Sequence, residues 1–365
     1  MAVTAPRVLR PQSAGPRLLV LRALGLGDLL AGVPAIRALR RAFDRQWLVL
    51  ATPPALAPLA LLTGAVDEVL PYSAPETGPW PPLPWPGGPP DLAVNLHGRG
   101  PQSHRALLEL RPRRVWGFPH SSFPGVSGPA WPDAGHEVAR WCGLLAHHLV
   151  PADPNDLSLP RPADRVPPRP GAIVIHPGAG YEARRWPPDR FAAIAAALRD
   201  AGHPVVVSGG AAERPLAVAV ADQAGLDRAD VLAGRTDTLD LAALVATARL
   251  VVCGDTGVGH LATAYGTPSV LLFGPVPPDE WGPPAGRRQH AVLWHDAAPT
   301  DPRDSRPSPA LLQISVRETL DAVATLLEGD AEPPAVASRT ADDLVPGPRS
   351  ADQVPQTADR AAAAP

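Results

Sequence analysis

Short, mostly apolar runs alternate with stretches of helical spacing along most of this chain, and the alternation halts once and restarts. That rhythm is the strongest constraint on the fold, because parallel strands need a crossover between them, usually a helix. Leu18 to Arg22 (LLVLR), Trp47 to Ala51, Val66 to Leu70, Leu92 to Leu96 and Arg114 to Phe118 read as strands. Asp28 to Phe43, Pro53 to Leu62, Gln102 to Leu110 and Gly135 to Leu149 carry helical spacing. Residues 151–170 (PADPNDLSLPRPADRVPPRP) are proline-rich and poor in apolar residues, and read as a linker. Beyond them Ala172 to His176, Pro204 to Ser208, Leu250 to Cys253 and Ser269 to Phe273 read as strands. Helices are expected over Pro187 to Asp200, Ala211 to Ala224, Thr238 to Ala248 and Gly257 to Tyr265, with one long amphipathic helix over Pro309 to Glu328. Two such runs predict an α/β chain of two parallel-sheet domains, 17–150 and 171–328, facing across a cleft. Residues 1–16 are expected to be a flexible leader. The Ala, Pro, Asp and Arg of 329–365 show no periodicity and are expected to be disordered.

Composition narrows the partners. Proline supplies 50 of 365 residues, which excludes one uninterrupted helical bundle. The formal net charge of −3 leaves no basic footprint for nucleic acid. All 33 cations are Arg, so any phosphate grip must use Arg, His or backbone N–H. Cys142 and Cys253 are too few for a disulfide framework or a zinc cluster, which fits a reducing cytoplasm. Leu18 to Ile36 is interrupted by Arg22 and Asp28, a poor membrane span.

Three motifs fall at the carboxyl ends of expected strands, where open parallel sheets bind ligands. The first is Leu21-Arg22-Ala23-Leu24-Gly25-Leu26-Gly27-Asp28. A dinucleotide fingerprint would need glycine at Leu30 and an acidic residue after LVLATPP, and neither is present. What remains is a carboxylate, Asp28, at a helix N-terminus beside flexible backbone. It is either a helix cap or a group aimed into the cleft. The second is His176-Pro177-Gly178-Ala179-Gly180 followed by Arg184-Arg185-Trp186-Pro187. Turn N–H groups plus arginines suit a phosphate or diphosphate, the alternative being a solvated surface loop. His176 and Trp186 read as buried packing residues. The third is Cys253-Gly254-Asp255-Thr256-Gly257-Val258-Gly259-His260-Leu261, whose early helical N–H groups would attract an anion. Asp255 or Thr256 caps that helix or meets a ligand hydroxyl, and His260 either donates to phosphate or packs. Gly274-Pro275 adds a turn at the same sheet end. Glu213, after Ser208-Gly209-Gly210, either holds a ribose diol or complements a helix dipole. The tryptophans and prolines of 71–90 read as loop composition.

In this order the three motifs resemble glycosyltransferase family 9, the ADP-heptose:lipopolysaccharide heptosyltransferases, over roughly residues 17 to 328. GDTGVGHLATAYGTPSVLLFGPVPPDEWGP is similar to the family's most specific segment. The resemblance implies a GT-B fold of two Rossmann-like domains with a cleft, the acceptor side N-terminal and the nucleotide-sugar side C-terminal. It implies Asp28 as general base of an inverting, metal-independent transfer, with Gly25, Gly27 and His97 on the acceptor side. It places Gly178, Ala179, Gly180, Arg184, Glu213, Asp255, Thr256, Gly257, Val258, Gly259 and His260 around the donor. Arg184 stands where the family usually has Lys. No cofactor is implied, since the nucleotide-sugar, expected to be ADP-linked, is a substrate. The acceptor is expected to be a glycan or another hydroxyl compound. The expected location is the cytoplasm, with peripheral contact at the inner face of the cell membrane left open. Two other classes share these features: a GT-B-like nucleotide-sugar epimerase, which would need further acid/base carboxylates in the cleft, and a nucleotide-sugar-binding protein without catalysis.

Overall fold

The computed structural model describes residues 16–298 and 300–329. Apart from positions 16 and 329, the leader and tail lie outside the described residues. Six parallel strands build the first sheet: β1 (Arg17–Leu21), β2 (Trp47–Thr52), β3 (Glu68–Pro71), β4 (Leu92–Asn95), β5 (Val115–Trp116) and β6 (Val126–Ser127). Their order is β3-β2-β1-β4-β5-β6, with Leu19 opposite both Val49 and Ala93. Five parallel strands build the second: β7 (Ile173–His176), β8 (Val205–Val207), β9 (Leu250–Gly254), β10 (Ser269–Leu272) and β11 (His290–Leu293). Their order is β11-β10-β9-β7-β8. The strands read as continuous apolar runs because both faces are covered.

Helices α1 (Leu26–Ala42), α2 (Ala57–Leu62), α3 (Gln102–Leu108) and α4 (Glu137–His147) belong to the first half. Helices α5 (Pro188–Asp200), α6 (Arg214–Gln223), α7 (Thr238–Thr247), α8 (Gly257–Tyr265), α9 (Pro278–Trp281), α10 (Pro309–Gln313) and α11 (Val316–Glu328) belong to the second. In each sheet the chain reverses direction at one place, between β1 and β4 and between β7 and β9. These switch points open crevices beyond the strands' carboxyl ends.

The two halves are in contact. Leu29 and Leu30 of α1 share one continuous core with Val258, Leu261 and Ala262 of α8. His136 Nε2 donates to Gly282 O at 2.8 Å, and Thr238 Oγ1 donates to Ala55 O at 2.6 Å. The proline-rich stretch after α4 is packed at its start rather than free. Asp156 accepts from Arg37 at 2.7 Å and Arg41 at 2.9 Å, both on α1, and Leu157 and Leu159 are buried.

Three local expectations need correction. The helix expected over Pro309 to Glu328 is two helices, because the carbonyl of Ile314 is taken by Trp186 Nε1 and Arg190, while Ser315 caps α11 in a capping box with Glu318. Strands β6 and β11 and helix α9 go unread in the sequence, being two to four residues long amid proline and glycine. Asp28 is the third residue of α1, and the cap position is Gly25. Both cysteines are buried, and burial pushes their thiols up to about 12.

Candidate active site

The turn from Ala23 to Gly27 carries the chain from β1 into α1 at the first switch point. Asp28 reaches back so that its Oδ2 accepts from Gly25 N–H at 3.2 Å. Its side chain remains 27% exposed. Burial pushes its carboxyl above the usual carboxylate range. The cation of Arg22 opposes that push, Glu137 adds to it, and the Gly25 hydrogen bond and the more distant Arg184 oppose it.

Glycine is required where the halves meet. A Cβ on Gly27 would lie 2.8 Å from the His260 ring, and one on Gly257 would lie 2.7 Å from Leu26 Cβ. The heads of α1 and α8 therefore touch, which brings Gly25, Gly27 and Asp28 to Gly257 and His260. Burial, with smaller contributions from the nearby His136, Arg22 and Arg184, lowers the His260 pKa to about 4. The ring is neutral at pH 7 and keeps one N–H to donate.

Arg184 and Asp255 form the centre of the second half's crevice, 3.2 Å apart, at the ends of the β7 and β9 segments. Asp255 is 9% exposed, and burial raises its carboxyl against the attraction of Arg184 and with the repulsion of Asp28. Arg184 Nε is buried without a hydrogen-bond partner, and Asp255 Oδ2 has only its ion-pair contact with Arg184 Nη1. An orphaned polar atom is costly unless a ligand or water completes it. Arg185 does not join Arg184: it donates to Ala179 O at 3.1 and 3.0 Å and pairs with Glu182.

Glu213 closes the turn after β8, its Oε2 accepting from Gly210 N–H at 2.7 Å. A Cβ on Gly178 would meet that carboxylate at 2.0 Å, so Gly178 leaves the space Glu213 occupies. Gly180 is exposed, with open space around it. Thr256 caps α8, its Oγ1 accepting from Val258 N–H at 3.3 Å, while its carbonyl accepts from Gly259 N–H at 3.0 Å. Two early helical donors expected to be free are thus already used. Val258 points into the core and Gly259 packs on Leu271. His97 lies across the first switch point, where its Nδ1 accepts from Ala23 N–H at 3.2 Å and its ring meets Trp80 edge-on at 4.7 Å. Burial, then Arg22, lowers its pKa to about 4. His176 is bonded to Ser208 Oγ at 3.0 Å, and Trp186 is buried, both as packing residues.

Sequence reasoning missed Arg22, Glu137 and His136. Arg22 is fully buried and donates to the carbonyls of Asp28 and Leu96. Its Nη2 lies 3.2 Å from Glu137 and 3.6 Å from Asp28. The signal was a lone cation closing an apolar strand, read only as an argument against a membrane span. Among the described residues no group of three or more His, Cys, Asp or Glu could hold a metal ion, and no helix is long and apolar enough to cross a membrane.

Two parallel-sheet halves that meet at their switch points define a GT-B fold. Solved structures agree: the glycosyl transferase family 9 protein of Veillonella parvula superimposes with a TM-score of 0.69, at 19% identity over 86% of this chain and 98% of that one. The E. coli ADP-heptose lps heptosyltransferase II superimposes with a TM-score of 0.68, at 20% identity over 87% and 100%. Residues 132–309 match the family model of glycosyltransferase family 9 (heptosyltransferase). Lipopolysaccharide heptosyltransferase 1 of Pseudomonas aeruginosa is 36% identical over 149 residues, 39% of this chain. The chain spans about two fifths of that relative's length (41%). The family match begins after the Asp28 turn.

Proposed function

We propose that this protein transfers a sugar, a heptose or a close relative, from an ADP-linked donor to a glycan hydroxyl, with inversion and without a metal. The observation that carries the reading is the position of Asp28, a partly exposed carboxylate of raised pKa at the contact between the two halves. Asp28 takes the proton of the acceptor hydroxyl as its oxygen attacks the anomeric carbon. The bond from that carbon to the diphosphate breaks, and the nucleoside diphosphate leaves. Arg184, whose Nε is unpartnered, meets the leaving charge, with the remaining donors at the head of α8. Asp255 holds Arg184 in place until a phosphate competes for it. Glu213 binds the ribose diol, and His97 with the Gly25–Gly27 backbone borders the acceptor. The reaction takes place in the cytoplasm, with the acceptor presented at the inner face of the membrane.

The fold shared with the E. coli ADP-heptose lps heptosyltransferase II supports the choice of nucleotide. The test is release of nucleoside diphosphate from a panel of nucleotide-sugars, ADP-heptose included, with and without Asp28→Ala. Release by the wild type that falls by about a hundredfold or more in the variant is expected for loss of a general base. An isomerised donor without release would replace the reading with epimerisation, and binding without turnover over a broad acceptor panel would leave a binding protein. ADP is expected to raise the melting temperature more than UDP, and the reverse order would overturn the donor assignment alone.

A further inference from the structure

We propose that Arg22 and Glu137 form a charged brace that aims the Asp28 carboxylate and sets the pH at which it works. This rests on the reading of Asp28 as the base. Arg22 has no exposed surface, an expensive place for a cation unless its donors are used. They are used in one direction each. Nε holds the backbone carbonyl of Asp28, Nη1 holds the carbonyl of Leu96 at the end of β4, and Nη2 faces both carboxylates. One planar group therefore spans the first switch point from β1 to β4 and reaches α4. Its face lies over the Trp141 ring, 4.9 Å from the centroid.

Glu137 keeps Arg22 in that plane. Its Oε1 accepts from Trp141 Nε1 at 2.7 Å and from Arg22, and its Oε2 is taken by Arg140. A point cation could supply the charge but not the three-way fork. The brace also has a route to the other half. Glu137 opens α4, His136 caps it, and the His136 ring donates to Gly282 O, next to Trp281, which packs against His260.

Four charged groups act on Asp28 or share its surroundings. Arg22 follows β1, Glu137 opens α4, Arg184 follows β7 and Asp255 follows β9. The neutral His260 ring lies against Gly27, and His97 lies against Ala23. Removing Arg22's charge withdraws the attraction that favours ionised Asp28. Removing Glu137's charge withdraws a repulsion that disfavours it. The two changes therefore move Asp28 in opposite directions, which a merely structural role would not do.

The experiment compares wild type with Arg22→Gln, Arg22→Lys and Glu137→Gln, each checked for a cooperative melt. It reads the pH profile of kcat/KM for diphosphate release and the carbon-13 titration of the Asp28 carboxyl, assigned with Asp28→Asn. For Arg22→Gln, kcat is expected to fall about tenfold or more with KM within about threefold, since orientation is lost and not donor binding. Its acid limb moves to higher pH. Glu137→Gln keeps the Trp141 hydrogen bond and moves the limb to lower pH. Arg22→Lys returns the limb towards wild type without restoring full kcat. Limbs and carboxyl midpoints that stay at the wild-type pH in all variants would overturn the brace. If wild type released no diphosphate from any donor, the transfer reading would fail, and the carboxyl midpoints would decide the brace alone. If Arg22→Gln did not fold, Glu137→Gln and Arg22→Lys would decide it.

Discussion

Gly257→Ala should pry the two halves apart at their point of contact. The added Cβ would lie 2.7 Å from Leu26 Cβ, 2.8 Å from its Cγ and 2.9 Å from its Cδ2. Carbon atoms in contact sit about 3.5–4.0 Å apart, so the helix heads must separate by about 1 Å. A rotamer change at Leu26 cannot relieve this, because the nearest atom is Cβ, fixed to the backbone. Overpacking of that kind costs about 1–3 kcal/mol. The strained contact lies between the halves and inside neither sheet, so parting α1 from α8 relieves it without unfolding. The ratio of molecules with Asp28 held against the donor side to parted ones then falls roughly 5- to 150-fold, at about 1.4 kcal/mol per factor of ten. The assay combines kcat/KM for diphosphate release with small-angle scattering and a thermal melt. Activity should drop by about tenfold or more, with a larger radius of gyration and a melting temperature lower by a few degrees. Wild-type scattering, melt and turnover together would refute the reasoning, since they would mean that α1 and α8 do not meet this way in solution.

Three further outcomes follow from single sites. Gly143→Ala, on the exposed face of α4 with open space around it, should stabilise the protein by about 0.5–1 kcal/mol in chemical denaturation without changing turnover. Asp28→Asn should melt higher than wild type at pH 7. The folded-state pKa is raised, so the unfolded chain binds fewer protons above pH 3.8 and stability falls as pH rises through that window. The advantage of the variant should shrink as pH is lowered, and a variant that melts lower at neutral pH would contradict the raised carboxyl. His290, buried against Ser269 with a pKa lowered to about 4, contributes stability that is present above pH 6.5 and lost as pH falls towards 4. At full titration the effect is on the order of 3 kcal/mol, and a melt of His290→Gln across that range should show a shallower slope.

Most of the strand and helix order was legible because each element carries its own period. Leu18 to Leu21 and Ile173 to Ile175 are apolar on both faces, and α1 shows its buried Leu29, Leu30, Val33, Ile36 and Leu39 at helical spacing. The break after Gln313 was not legible, because it depends on Trp186 and Arg190 reaching Ile314 from 124 or more residues away. The short strand β11 was hidden for a similar reason: its pairing with β10, and not its own composition, makes it a strand.

The candidate site divides along the same line. Glycine turns at strand ends, Asp28 ahead of a helical run, and Asp255 and Thr256 before another are local patterns, and the chain by itself determined them. Which of these meet was decided only in three dimensions. The sheet orders put Asp28 and His97 at one switch point and Arg184 and Asp255 at the other. Packing then brought the heads of α1 and α8 together through two glycines. Arg22 and Glu137 illustrate the limit best. They are 115 residues apart, and they matter because a buried cation must find its counter-charge wherever the fold puts one. Backbone period is a property of neighbours in sequence, whereas charge pairing and close approach are properties of neighbours in space.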